Sequence, residues 1–308
     1  MAAARTLNHF VAAAACLLAA GCSSLAVAPA SDHAPALRQA DIGGVSLAYV
    51  EQGRGETVVF VHGAGGDWRT WEPLRPYIAA RQHFVSYSRR YHHPNAPDGG
   101  GLPYTARQQA DDLVAFVRAL GRGPVHAVGA SAGGRVVAEA ALLQPALFKS
   151  LTLSEPLITR PLDAEGQAHS ATTLREFGKV LAAARAADGR LATVQLVDWV
   201  VGEAGAFARL PAERQQRFLD NQATLVASLT APATPPPSCE RLRNLTMPVL
   251  VMHGAVTRPG FRASTEGLLP CLVRGVGPYE VPGAGHMWYP VDPRAGAERI
   301  LQFIASGG

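Results

Sequence analysis

The stretch that most constrains this chain is Gly129-Ala130-Ser131-Ala132-Gly133, read with its flanks. Before it, Pro124-Val125-His126-Ala127-Val128 is a short apolar run of strand character. After it, Arg135 to Leu143 is helical in composition and ends before Pro145. A serine between small residues on a strand-to-helix turn is a nucleophile elbow. The tight turn leaves room only for small residues on either side, so the Ser131 hydroxyl projects from the sheet edge. The first N–H groups of the following helix point at any negative charge that develops there. A chain this rich in Gly and Ala produces G-x-S-x-G by chance, so the rest of the pattern has to decide its meaning.

That pattern alternates. Val45 to Val50, Thr57 to Val61, His83 to Ser88, Ser150 to Ser154, Met247 to His253 and Gly277 to Val281 have strand character. Helical spacing runs through Trp71 to Arg81, Ala263 to Leu269 and Arg294 to Ala305. Thr105 to Leu120 predicts an amphipathic helix with Leu113, Phe116, Val117 and Leu120 on one face, Thr105 as cap and Gly121 closing it. Strands alternating with helices imply an α/β fold, a mostly parallel sheet covered on both faces. From about Leu157 to Pro237 the alternation gives way to helices alone, which reads as a helical cap insertion. It closes with the stiff connector Ala231-Pro232-Ala233-Thr234-Pro235-Pro236-Pro237.

The first residues read as an export signal. Arg5 supplies a positive charge, Phe10 to Ala20 is apolar, and Gly21-Cys22 follows. The apolar run is too short for a membrane span. Leu18-Ala19-Ala20-Gly21-Cys22 resembles a bacterial lipobox, in which the thiol of the cysteine is lipidated. Ser23 after it implies the outer membrane in that family. The alternative is ordinary secretion into the periplasm, with cleavage after Ala28 or Ala30. The expected organisation is a signal peptide at 1–21, a tether at 22–37, a core at 38–156 and 238–308, and a cap at 157–237.

An oxidising compartment would suit Cys239 and Cys271, which remain once Cys16 and Cys22 are accounted for. They are a candidate disulfide, with two separate buried thiols as the alternative. The net charge of +4 is spread along the chain, and no basic run is interleaved with aromatics. Nucleic acid is therefore not an expected partner. No dinucleotide fingerprint, P-loop or metal-ligand spacing appears, so no cofactor or metal is expected.

Three stations line up. Val58-Val59-Phe60-Val61-His62-Gly63-Ala64-Gly65-Gly66 is an apolar strand running into a His-Gly-rich loop. The elbow follows, and Pro282-Gly283-Ala284-Gly285-His286 comes after a late strand. In this order the chain resembles an α/β-hydrolase of the small esterase, lactonase and haloperoxidase-like kind, with a cap domain, over about Ile42 to Ile304. The resemblance implies Ser131 as nucleophile, His286 as general base, and the backbone N–H groups of Ala64 and Ala132 as oxyanion hole. It also implies that His62 supports the oxyanion loop. His126 and His253 are read as core or supporting residues, and His92 and His93 as solvated loop residues.

The family's usual acid is absent. After His253-Gly254 the loop reads Ala255-Val256-Thr257-Arg258-Pro259-Gly260, with Thr257 where an aspartate is expected. Leu151-Thr152-Leu153-Ser154-Glu155-Pro156 instead puts Glu155 at the tip of the strand after the elbow helix. A carboxylate there can hold the His286 Nδ1–H and fix its tautomer. The alternative pairs Glu155 with a cap arginine such as Arg160 and leaves His286 to Thr257 or water.

Trp288, Tyr289 and Trp199 are candidate pocket residues, with core packing as the alternative for each. The cap segment carries Phe177, Leu181, Leu196, Trp199, Val200 and Phe218, an apolar lid. Two readings result. One is a serine hydrolase acting on a small to medium apolar ester, thioester or lactone. The other is a catalytically silent envelope protein that binds an apolar ligand or partner.

Overall fold

The computed structural model describes residues 35–95, 104–156, 158 and 163–307. The signal segment, Cys22 and Arg160 lie outside them. Eight strands form one sheet in the order β1-β2-β4-β3-β5-β6-β7-β8. They are β1 (Arg38–Asp41), β2 (Ser46–Gln52), β3 (Thr57–Val61), β4 (His83–Tyr87), β5 (Val125–Ala130), β6 (Phe148–Ser154), β7 (Val249–Gly254) and β8 (Gly275–Val281). Pairing from β4 to β8 is parallel, whereas β2 runs antiparallel to both β1 and β4. All five residues of β3 and all six of β5 are buried, as strands covered on both faces require.

Eleven α-helices are described: α1 (Arg75–Ala79), α2 (Ala106–Leu120), α3 (Ala132–Leu143), α4 (Ala164–Arg185), α5 (Gly189–Val201), α6 (Ala206–Arg209), α7 (Ala212–Leu219), α8 (Gln222–Thr230), α9 (Cys239–Leu242), α10 (Pro259–Glu266) and α11 (Pro293–Ala305). Helix α2 begins where its cap signal stands: the Thr105 hydroxyl accepts the Gln108 N–H, and Gly121 closes it in the left-handed region. Two apolar layers flank the sheet. One packs α2 and α3 on it through Leu113, Phe116, Val136 and Val137. The other packs the 3-10 helix Trp68–Leu74, α1 and α11 on it through Trp71, Ile78, Ile300 and Phe303. Helices α4 to α8 lie between β6 and α9, and α4, α5 and α8 share a third small core that includes Val180, Leu196 and Leu225.

Three elements depart from the sequence reading, and one of them is α10, which runs Pro259–Glu266 where a helix is expected from Ala263 to Leu269. Strand β1 was not anticipated, because four mostly exposed residues carry no apolar alternation. The helix read from Trp71 is a 3-10 helix at Trp68–Leu74 followed by the short α1, with Pro73 inside the first piece. The candidate cysteine pair is bonded, and Cys239–Cys271 fastens α9 to the turn before β8. The bridge spans 32 residues, so in the chain-entropy account it contributes about 3 to 4 kcal/mol. The double variant Cys239→Ser/Cys271→Ser is expected to lose that much in urea unfolding; an unchanged midpoint would show the loop to be held by its packing instead.

Candidate active site

Because β4 to β8 are parallel, the loops after them gather at one sheet edge. Across that edge come Arg89 after β4, His62 to Gly66 after β3, Ser131 after β5, Glu155 after β6, Thr257 after β7 and His286 after β8. Ser131 is held at φ 52°, ψ −126°, and Glu155 at φ 44°. Each such conformation costs a side-chain-bearing residue about 1–3 kcal/mol and persists only when its surroundings dictate it. They do so here by crowding. A Cβ at Gly133 would stand 2.3 Å from the Val61 carbonyl oxygen, and one at Gly129 2.6 Å from that of Gly133. The elbow glycines therefore let α3 start directly behind β3.

The Glu155 carboxylate is fully buried and has three donors. Oε1 accepts the Gly254 N–H at 3.0 Å. Oε2 accepts the Thr257 hydroxyl at 2.8 Å and lies 2.6 Å from His286 Nδ1. Thr257, at the place where the family carries its acid, thus serves the acid on the neighbouring strand. Burial pushes the Glu155 carboxyl up. The charge of His286 and the hydrogen bonds from His286, Gly254 and Thr257 outweigh that and leave it below the ordinary carboxylate value. The Phe261 ring packs on the imidazole of His286 at 4.7 Å between centroids.

The loop that carries Ala64 lies against the serine: a Cβ at Gly63 would be 3.2 Å from Ser131 Cβ. His62 Nε2 accepts the Arg89 backbone N–H at 3.0 Å, so Nδ1 bears the proton donated to the Gly63 carbonyl at 2.9 Å. Burial, then the charges of Arg89 and His92, hold His62 well below the ordinary histidine value. It is a neutral brace for the loop. His126 and His253 are buried. The first bonds Ser150 and Glu56 near the opposite ends of the strands, the second the Gly254 carbonyl.

Residues 58–299 match the sequence profile of the Alpha/beta hydrolase family. The chain belongs to that family. It is 31% identical over 288 residues to a 2-(acetamidomethylene)succinate hydrolase of Mesorhizobium japonicum, covering 89% of this chain and 97% of that one. Its fold resembles that of a thermophilic esterase from Thermogutta terrifontis, with a TM-score of 0.70 at 21% identity, over 88% of this chain and 99% of that one. A bromoperoxidase from Bacillus anthracis gives the same TM-score at 18% identity, over 88% and 100%. At these identities the two structures speak to fold alone.

Within this alpha/beta hydrolase a cavity of about 470 Å³ opens over the strand ends. Ala64, Ser131, Ala132, His286 and Tyr289 line it from the sheet side. Phe177, Leu196, Trp199, Val200 and Leu229 line it from helices α4, α5 and α8. Trp199 and Tyr289 thus stand where the sequence placed them, and Trp288 does not. Its side chain is fully buried between sheet and α11, with Nε1 donating to Ser154 Oγ at 2.7 Å and its ring 6.1 Å from that of Trp71. Gly296 of α11 makes room for it, since a Cβ there would be 2.0 Å from the indole. His92 also departs from expectation. The chain after β4 folds under α8, where Asn221 accepts the His93 N–H and Thr224 donates to the Tyr91 carbonyl, and His92 is 1% exposed.

The sign of the Glu155 shift gives a pH prediction. A carboxyl lowered on folding contributes stability that is present above the unfolded value of about 4.5 and is lost as pH falls through the lowered folded value. The stability gap between wild type and Glu155→Gln is therefore expected to narrow as pH drops below that range. Denaturant midpoints of both proteins across pH check this; curves that stay parallel would show that Glu155 has no folded-state shift.

Proposed function

We propose that this alpha/beta hydrolase is a serine hydrolase that cleaves a small to medium, largely apolar ester, thioester or lactone. The observation that carries the reading is the 2.6 Å contact between His286 Nδ1 and Glu155, with His286 and Ser131 lining one cavity. With Nδ1 bound to the carboxylate, Nε2 is the nitrogen free to take the Ser131 proton. The serine oxygen then adds to the carbonyl carbon, and the charge on the carbonyl oxygen falls to the N–H groups of Ala64 and Ala132. His286 returns the proton to the leaving oxygen or sulfur, giving an acyl-Ser131. Water, deprotonated by the same imidazole, releases the acid. Glu155 holds the ring and stabilises the imidazolium throughout.

The apolar walls from α4, α5 and α8 support an apolar body for the substrate, with these helices acting as the cap. The hydrolase from Mesorhizobium japonicum supports water as the final acceptor. The alternative of a silent binding protein rested on the missing aspartate, and a buried carboxylate with three donors answers that deficit. A fluorophosphonate probe is expected to label wild type and to leave Ser131→Ala unlabelled. In Glu155→Gln labelling is expected to slow by a factor on the order of 10³ or more. A folded wild type that takes no label would return the reading to a binding protein.

We also propose export with a lipid on Cys22, which the bonded Cys239–Cys271 pair supports because such bonds persist in oxidising compartments. Mass spectrometry of the mature protein is expected to find a diacylglyceryl adduct on Cys22 at the new N-terminus. An unmodified terminus beyond Cys22 would show secretion without an anchor.

A further inference from the structure

The cavity lining is not all apolar. Besides the apolar side chains it is lined by Arg89 from the loop after β4, Tyr104 and Gln109 at the start of α2, and Arg135 of α3. Arg89 is 2% exposed, yet among the described residues no carboxylate lies within ion-pair distance of it. Its Nη2 donates to the Gly63 carbonyl at 2.9 Å, its guanidinium carbon stands 5.9 Å from the Tyr104 ring centroid, and its Nε has no acceptor. The next residue shows what a structural arginine here requires: Arg90 forks onto Asp112 with contacts of 2.7 and 2.5 Å. Gln109 is 1% exposed, and neither its amide oxygen nor its amide nitrogen has a partner. Arg135 does not share this deficit, because its Nη2 donates to the Thr234 and Pro235 carbonyls and the Thr234 hydroxyl and lies 3.7 Å from Glu139.

Unpaired groups of this kind are costly to bury. A guanidinium without a counter-charge and an amide without a partner each oppose folding unless something compensates them. The two nearby histidines do not balance the guanidinium either: burial holds His62 and His92 well below the ordinary value, so they are neutral and bring neither a counter-charge nor a competing positive charge. What the corner lacks is an anionic acceptor flat enough for a guanidinium and small enough to reach an amide N–H, which is the description of a carboxylate. The start of α2 adds its N-terminal dipole in the same sense.

We infer that Arg89 and Gln109 form a carboxylate subsite, so that the substrate is an ester, thioester or lactone carrying a free carboxylate at one end and an apolar body at the other. The substrate class rests on the hydrolase reading; the subsite itself does not. It is tested by calorimetry with glutarate, and with glutaramide as its neutral counterpart, on otherwise intact Ser131→Ala protein.

Glutarate is expected to bind and glutaramide not. Arg89→Gln and Gln109→Leu are each expected to weaken glutarate by about tenfold or more. Arg89 also holds the Gly63 carbonyl, so Gln109→Leu is the cleaner variant: it removes two unpartnered atoms, and its melting temperature is expected to hold or rise while glutarate binding falls. No binding of glutarate, equal binding of glutaramide, or binding untouched by both variants would overturn the subsite. Fluorophosphonate labelling of the wild type runs alongside. Glutarate binding without labelling would keep the subsite and remove the hydrolase; labelling without glutarate binding would do the reverse.

Discussion

One buried carboxylate ties three strand ends together. Glu155 follows β6, takes an N–H from the last residue of β7 and a hydroxyl from the loop beyond it, and meets the imidazole that follows β8. A carboxylate this deep is unfavourable on its own and becomes favourable only with its donors in place. The histidine, the threonine loop and the acid therefore hold one another in position. The hydroxyl of Thr257 is part of this arrangement: an aspartate at that position would put a second negative charge beside Glu155, where the present chain puts a donor.

The rest of the edge follows from strand direction. Parallel pairing from β4 to β8 places six consecutive loops side by side, and side chains far apart in the chain share one cavity without any long-range device beyond the sheet. The strained backbone at Ser131 and Glu155 is the local cost of turning out of that sheet at once. Close packing of the elbow glycines against Val61 and the bonds of the carboxylate offset it.

Much of this was legible in the sequence because it depends on position after a strand. Ser131, His286 and the Ala64 loop were found in that way, and Glu155 by asking which remaining acid stood at a strand tip. Burial was harder to read. Trp288 and His92 sit in loops by sequence, and nothing local shows that α11 leaves a slot for one or that α8 covers the other. The polar part of the cavity lining has its own trace in the sequence. Gln109 stands one turn before Leu113 on the buried face of α2, a polar residue in an apolar stripe. Strand β1 left none, since its order comes from pairing with β2 and not from its own residues.

The chain leaves β6 through Glu155 and Pro156 and next forms α4, so the acid stands at the root of the whole helical insertion. In a fold whose acid follows β7, insertion and acid are separate modules, and one can be exchanged by recombination without the other. Here Glu155 and the helices are neighbours in the chain. A change in the length of these helices would act on the segment next to Glu155, whereas a substitution along the cavity wall would leave that carboxylate and its three donors in place.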